Sequence, residues 1–425
     1  MIDIKQIRDD PEKFKNASRA KGFSADIDRL LQVDSVLRES KQKLQDISTE
    51  KNRLGKSIPA ISAHKKQSVL EQLSQLKDDE TKLQEQIKSL QPEFDQLMLL
   101  VPQPTDDDVP FGIDDTQNVE VKRVGQVRQF DFQPKDHVQL GRDLAIIDIE
   151  RGVKLAGTRN YILKGDGALL HWAVLRFAID FMVQKGYAPM CVPLLMRDEA
   201  MFGTAYFPGG EEQTYRMEKD QLNLAGTAEV PLTAYHIGEI LDADQLPLKY
   251  VALSSCFRRE AGAAGKDTYG LYRIHQFDKV EQVVICKNSI VESNKLHEEI
   301  LSNAEAIMQA LELPYRVVNV CTGDLGRGQA KKFDIEAWMP SRGNYCETHS
   351  ASKFYEFQAR RMNLRYKDPA TKKNLFCHTL NNTVIASPRI LIPILELYQN
   401  ADGSITIPKV LRPYMNAKEK IVSAS

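Results

Sequence analysis

From Val69 to Leu97 the apolar residues step by four and three in turn: Val69, Leu73, Leu76, Leu83, Ile87, Leu90, Phe94 and Leu97, with Glu80 the one exception in the seam. A stripe of that period needs a second helix to cover it. Leu30, Leu37 and Leu44 recur at intervals of seven, Ile47 and Leu54 follow seven apart, and Gly55-Lys-Ser-Ile-Pro59 between the two stretches supplies the breakers of a reversal. The sequence therefore predicts an antiparallel helical hairpin, because each seam has only the other to pack on. Legs of about 30 residues would be about 45 Å long at 1.5 Å per residue. Residues 38 to 66 hold Arg38, Lys41, Lys43, Lys51, Arg53, Lys56, Lys65 and Lys66 against Glu39, Asp46 and Glu50. Eight cations against three anions leave about +5, which is ordinarily a solvated coiled-coil face and becomes a phosphate-binding finger only with support from the rest of the chain.

The hairpin ends at Val101-Pro102-Gln-Pro104-Thr-Asp-Asp-Asp108-Val-Pro110, a solvated connector. The boundary falls there, with a helical arm over residues 1–104 and a second domain over residues 105–425. In that domain β-rich segments are expected at 119–124 and 127–132, and strands at 249–257, 273–286, 315–320, 333–339 and 352–358. Helices are expected at about 167–185, 290–311 and 388–398. Strands in series rather than in alternation with helices predict an α+β fold, an antiparallel sheet with helices on one side. No G-x-G-x-x-G or Walker A loop is present, which sets aside Rossmann and P-loop nucleotide binding.

Lys+Arg 57 against Asp+Glu 58 exclude a chain-wide polybasic surface, so any nucleic-acid contact must be local and DNA is not an expected partner. No apolar run approaches the roughly 18 residues of a spanning helix, and the N-terminus MIDIKQIRDDPEKF lacks the pattern of a signal peptide. The six cysteines form no C-x-x-C pair and no zinc-spaced cluster. They read as reduced thiols, and a cytoplasmic address without a membrane partner is expected.

Ser254-Ser-Cys-Phe257-Arg258-Arg259-Glu260, a loop rich in Gly and Ala, and Arg273-Ile274-His275-Gln276-Phe277 read as a strand, a loop and a return strand. Two apart on a strand, Arg258 and Glu260 would share a face. The arginine offers a planar fork to a phosphate, Glu260 can accept from an exocyclic amine, and Phe277 offers a ring on which a base can stack. Taken alone, R-x-E is usually a cross-strand ion pair. The longer pattern resembles motif 2 of the class II aminoacyl-tRNA synthetases. The helix at 167–185 followed by Lys185-Gly186-Tyr187-Ala-Pro-Met-Cys-Val-Pro193 resembles the dimer-forming motif 1. Arg389 before Ile-Leu-Ile-Pro-Ile-Leu-Glu396 stands in the place of the motif 3 arginine, although Ala386-Ser387-Pro388 replaces the usual glycines; Pro388 would suit a helix start. Within the class the chain resembles the seryl-tRNA synthetases from Met1 to about Tyr414. The segments that carry the likeness are Gly226-Thr227-Ala228-Glu229, Phe257-Arg-Arg-Glu-Ala-Gly262, His275-Gln-Phe-Asp-Lys-Val-Glu281, Glu347-Thr-His-Ser350, Gln358-Ala-Arg-Arg361 and Thr379-Leu-Asn-Asn-Thr383.

The resemblance implies activation of L-serine with ATP to seryl-adenylate, then transfer of serine to the 3′ end of tRNA-Ser, with tRNA-Sec a second candidate. It puts Thr227, Ala228, Glu229, Glu281, Asn381 and Thr383 around serine, with Glu281 facing either the hydroxyl or the ammonium. It gives Arg258 to the α-phosphate and Arg389 to the γ-phosphate as the catalytic cations. Glu260 and the segment of Ile274, His275, Gln276 and Phe277 would hold the adenine, with Phe277 stacking and Arg259 also in the ATP site. Glu347, Thr348, His349 and Ser350 would complete the ATP site, with Glu347 and Ser350 as oxygen ligands of Mg²⁺ and His349 pointing away from the metal. It also implies a homodimer, and a basic arm whose Arg38, Lys41, Lys51, Arg53 and Lys56 meet the tRNA backbone and present the acceptor end to the other subunit. A catalytically silent paralogue, serving as a scaffold or RNA binder, should have lost motif arginines or pocket acids, yet Arg258, Arg389, Glu229, Glu281 and Glu347 are all present. A ligase that charges a carrier protein would have no use for a long basic arm.

Overall fold

The computed structural model describes residues 1–60, 62–262 and 268–423, so part of the Gly- and Ala-rich loop expected after Glu260 lies outside the described residues. The chain divides into two compact units, Ile2–Pro102 and Gln103–Ser425, the second together with Met1.

In the first unit two short helices, Ile4–Asp9 and Pro11–Ala20, precede the long pair α1 (Ile27–Ser57) and α2 (Ala63–Leu100). Asp26 starts α1 by accepting the Arg29 N–H at 2.8 Å, which satisfies one of the first-turn donors. α1 runs through Gly55, where a break was expected, and the reversal is a 3₁₀ turn at Ile58–Ala60. A single glycine costs a helix only about 1 kcal/mol, which a packed seam offsets; the proline two residues beyond Ser57 is the effective stop. Leu30, Leu37 and Leu54 are buried, and the α2 seam positions from Val69 to Leu97 are half-buried. Glu80, the seam's exception, accepts from Lys51 Nζ at 2.6 Å. Arg29 grips Glu93 with two bonds of 2.7 and 2.9 Å, and Ser40 bonds Gln86 at 3.2 Å. Polar pairs across an apolar seam fix its register.

In the second unit, among the described residues, an eight-stranded sheet forms from β1 (Val119–Val124), β2 (Ala188–Pro189), β3 (Leu248–Phe257), β4 (Gln276–Cys286), β5 (Tyr315–Asn319), β6 (Lys331–Met339), β7 (Asn344–Tyr355) and β8 (His378–Ser387). The spatial order is β1-β5-β6-β7-β8-β4-β3-β2. Every pair is antiparallel except β2 with β3 at the edge, which is parallel because the chain crosses over between them. Two helices, α3 (Asp166–Gln184) and α4 (Ile290–Ala310), cover one face through Leu170, Val174, Ala178, Leu296, Ile300 and Ile307. Val280, Val284, Leu380 and Val384 meet them from the sheet. The opposite face carries a smaller apolar cluster, in which Ala228 and Leu232 of the Glu229 segment join Val283, Ile285, Ala359 and Met362. Helices therefore lie on both faces rather than one.

Other expectations shift. Residues 127–132 form no strand, and β4 starts three residues later than expected. Gln358 sits in a helix, α5 (Phe357–Met362), not at a strand end. The last helix, α6 (Leu391–Leu397), leaves Pro388 and Arg389 in the turn before it. β8 is central and buried along nearly its whole length, yet its His378-Thr-Leu-Asn-Asn-Thr383 start lacks the apolar run that normally marks a buried strand. No helix among the described residues is long and apolar enough to cross a membrane.

Candidate active site

On β4 the alternate residues Phe277, Lys279 and Glu281 point away from α3 and α4, whose face takes Val280 and Val284. A bulge between Val280 and Glu281 sets Glu281 directly opposite Thr383 of β8, with Val283 opposite Asn381. A bulge re-aims side chains locally, and here it joins two polar positions on the face that lacks the long helices. Thr383 Oγ1 donates to Glu281 Oε2 at 3.4 Å. The Lys279 ammonium lies among Glu281, with which it forms an ion pair, Thr227 Oγ1 at 2.7 Å and Thr383 Oγ1 at 3.5 Å.

Glu229 opens a short helix, Glu229–Thr233, and Thr227 Oγ1 accepts its N–H at 3.2 Å. Thr227 Oγ1 thus accepts from the first helical N–H and from a lysine at once, while Ala228 holds the cap position. Gln358 of α5 donates to Glu229 Oε1 at 2.9 Å, and the Asn381 amide also acts to lower this carboxyl. Ala228 is fully buried in the apolar cluster, so only its backbone can face the pocket. Burial, followed by the charge of Glu281, pushes the Glu229 carboxyl up to about 7. Burial also pushes Glu281 above the usual carboxylate range, while Lys279, Thr383 and Arg258 oppose that rise.

Arg258 lies one residue past the end of β3, so the shared strand face expected for Arg258 and Glu260 does not exist. Two bonds tie Arg258 to His275, the residue before β4: its N–H donates to the His275 carbonyl at 2.9 Å, and His275 Nδ1 donates to the Arg258 carbonyl at 3.0 Å. Its Nε donates to Gly226 O at 3.3 Å, and the guanidinium lies over the Phe277 ring at 5.2 Å. Glu260 takes a left-handed backbone, φ 52°, and accepts from Arg273 Nη1 at 3.0 Å. Arg259 and Gln276 are exposed, and Ile274 is buried.

Arg389 donates to the carbonyls of Tyr272 and Glu347, each at 3.2 Å, and lies over the Tyr272 ring at 4.3 Å. Arg342 sits at 4.1 Å from the same ring centre. The Glu347 side chain is 46% exposed. Burial acts to raise its carboxyl, but Arg389, Lys332, Arg258 and Arg273 hold it below the usual range. A bulge between β6 and β7 displaces Thr348 and leaves Ser350 opposite Asp334. His349 turns into the core, with Nε2 on Val384 O at 3.0 Å, and burial pushes its pKa down to about 4. Thr348 Oγ1 donates to Ile335 O at 3.1 Å. Asp334 is 4% exposed and 3.3 Å from Lys332, and its Oδ1 has no partner among the described residues. Burial, together with Glu347 and Asp324, raises its carboxyl to about 7.

A cleft of about 500 Å³ joins these groups; Arg258, Glu260, Phe277, Lys279, Glu347, Thr383 and Arg389 are among its lining. Cations flank the end with Glu347, while acids and hydroxyls cluster at Lys279, so one cleft offers an anion site beside a small polar pocket. Lys279, Gln358, Asp334 and Tyr272 carry no role in the sequence reading. Lys279 could have been found from its alternation with Phe277 and Glu281. Asp334 could have been found as a polar residue between Phe333 and Ile335.

Two family models match: the seryl-tRNA synthetase N-terminal domain over residues 1–104 and the class II tRNA synthetase core domain (G, H, P, S and T) over residues 213–398. A serine--tRNA ligase of Deinococcus radiodurans is 46% identical over 419 residues, covering 99% of this chain and 98% of that protein. One from Thermobifida fusca is 41% identical over 417 residues, covering 98% and 97%. The seryl-tRNA synthetase of Pyrococcus horikoshii, solved with ATP, superposes with a TM-score of 0.94 at 37% identity over all of both chains. The cytoplasmic enzyme of Naegleria fowleri, solved with AMP, gives 0.87 at 31% identity over 98% and 96%.

A carboxyl at about 7 is largely protonated below that pH and cannot then pair with an ammonium. Amino-acid affinity should therefore rise up to tenfold per pH unit toward about 7 and level off above it. Glu229→Gln should bind weakly and without this limb. A pH series of KM for the amino acid in pyrophosphate exchange checks the pair, and an unchanged limb in the glutamine variant would remove Glu229 from the ammonium site.

Proposed function

The chain belongs to the seryl-tRNA synthetase family of class II aminoacyl-tRNA synthetases, activating L-serine with ATP and transferring serine to tRNA, and we propose that the cleft of residues 105–425 performs both steps while residues 1–104 hold the tRNA. The observation that carries the reading is one cleft lined by Arg258, Arg389, Lys279 and Thr383, where Lys279 and Thr383 bond Thr227 and Glu281 and the charge of Glu281 acts on Glu229. A bent triphosphate needs cations at both ends, and serine needs an acid for its ammonium and a hydrogen-bonding wall for its hydroxyl. Arg258 takes the serine carboxylate and the α-phosphate, Arg389 takes the γ-phosphate, and Phe277 with Glu260 and the 274–276 segment holds adenine.

In the first step a serine carboxylate oxygen bonds to the α-phosphorus as the bond to the β-phosphate oxygen breaks, and pyrophosphate leaves with the electron pair. Alignment and fixed charge do the work, without a protein nucleophile. In the second step a terminal ribose hydroxyl of tRNA-Ser attacks the adenylate carbonyl carbon, loses its proton and displaces AMP. Glu347 and Ser350 fit a hard cation: Glu347 is held ionised at the cleft, and Asp334 opposite Ser350 has an unpartnered Oδ1. They would hold a Mg²⁺, which when bound supplies neutralising charge to phosphate oxygens.

Arg38, Lys41, Arg53 and Lys56 are exposed on the arm, which supports backbone contact with tRNA; Lys51 is already paired to Glu80 and Arg53 to Glu50. The protein acts as a homodimer through the groove where α3 meets β2 and β3, lined by Leu175, Ile179, Met190 and Leu253 beside a 62% exposed Trp172. All six cysteines are free thiols, as suits a cytoplasmic enzyme.

Arg258→Ala should lower serine-dependent pyrophosphate exchange on the order of 10² to 10³ with the fold intact by circular dichroism; near-normal exchange would sink the phosphate assignment. Neutralising Arg38 and Lys56 should weaken tRNA binding and flatten its log-log salt slope by roughly 0.7 to 0.9 per contact, with exchange unchanged. An unchanged slope would return the arm to a plain coiled coil. Trp172→Arg should shift the sedimentation coefficient to that of a monomer, whereas a variant that still sediments as the wild type would exclude this face.

A further inference from the structure

Lys279 sits in mid-strand on β4 and is 5% exposed. An ammonium has three donors, and Lys279 directs them at three pocket groups from three separate elements: Thr227 in the loop before Glu229, Glu281 on β4 and Thr383 on β8. Both contacts of Glu281 fall on Oε2, and Oε1 keeps its lone pairs for a further donor. The two pocket acids are therefore unlike. Glu281 has an internal cation in direct contact, while the carboxylate of Glu229 is met by the neutral amide of Gln358. An external ammonium gains most at the acid that has no cation of its own, because a buried carboxylate already paired gives up that pair only at a cost of desolvation.

We propose that Lys279 is the positioning residue that sets amino-acid specificity: it holds Glu281 as an aimed carboxylate whose Oε1 serves the substrate hydroxyl, and it leaves Glu229 as the acid for the substrate ammonium. The inference rests on the assignment of Thr227, Glu229, Glu281 and Thr383 to the serine pocket. Lys279 acts through Glu281 and touches no reacting atom. Without it Glu281 would either take a proton or compete with Glu229 for the ammonium, and in both cases the pocket would lose its preference for a hydroxyl. Sites that pair a substrate hydroxyl reject the analogue lacking it by up to about 10⁴, which is the discrimination that Lys279 would protect.

Serine- and alanine-dependent pyrophosphate exchange on the full chain tests this with Lys279→Met, Lys279→Arg, Glu281→Gln and the double variant Lys279→Met/Glu281→Gln. Lys279→Met should raise KM for serine and lower the serine-over-alanine ratio, each on the order of 10²-fold, with KM for ATP within about twofold as the internal check on folding. Lys279→Arg, which keeps the charge, should recover roughly a tenfold part of the loss. The double variant should be no worse than Glu281→Gln alone, since the lysine acts through that carboxylate. The proposal is overturned if Lys279→Met keeps the wild-type ratio, if kcat falls with KM for serine unchanged, or if the two single losses multiply in the double variant. Should Lys279→Met lose ATP binding as well, the comparison of the double variant with Glu281→Gln decides alone. Glu281→Gln tests the underlying pocket separately: if it leaves KM for serine and the ratio unchanged, the pocket assignment itself falls, whatever Lys279 does.

Discussion

The register of β4 against β8, with its bulge between Val280 and Glu281, is the constraint on which the site depends. Side chains alternate along a strand, so a slip of one residue would turn Lys279 and Glu281 into the core and bring Val280 and Val284 to the cleft. The apolar packing of Val280, Val284 and Leu380 on α3 and α4 forbids that slip. The hydrophobic core thus fixes where the charges go, although it contributes no group to the chemistry.

Once the register is set, the same residue type takes different states at different depths. Glu347 faces four cations and is held ionised, whereas Glu229 meets amides and a neighbouring acid and sits near neutrality. Asp334, still deeper, is raised as well, with one oxygen unpartnered. Burial penalises charge in all three, and the count of nearby cations decides which carboxyl escapes that penalty. The proposed binding of a triphosphate beside a zwitterion would need this division, since a uniformly cationic site would repel the ammonium.

The helical arm follows a different economy. The seam of its long hairpin is half-buried and braced by the Lys51–Glu80 and Arg29–Glu93 pairs, while Arg38, Lys41, Lys43, Arg53, Lys56, Lys65 and Lys66 are exposed. Exposed charges add little to stability but act at a distance on a polyanion. Arm and body therefore use the same residue types for separate ends: partly buried, hydrogen-bonded cations in the cleft and exposed ones on the hairpin.

The heptad spacing from Val69 to Leu97 was legible in the sequence, because a period needs only the chain itself to show it. Among the residues that the resemblance singles out, Arg258, Glu347, Thr383 and Arg389 line one cleft, and Thr227 and Glu281 meet it through Lys279 and Thr383. What only the tertiary structure decided were contacts between distant segments. The polar start of β8 hid a central strand, since its Thr and Asn side chains are paired by β4, α4 and α5 rather than by solvent. The bulges that pair Glu281 with Thr383 and Ser350 with Asp334 leave no local trace. Gly55 looked like a break, but the seam carried the helix past it. Lys279 read as one more charged residue, and only the convergence of Thr227, Glu281 and Thr383 on its ammonium gave it a place. Local periodicity is written in neighbours along the chain, whereas the protonation and aim of a buried side chain depend on whatever the fold packs against it.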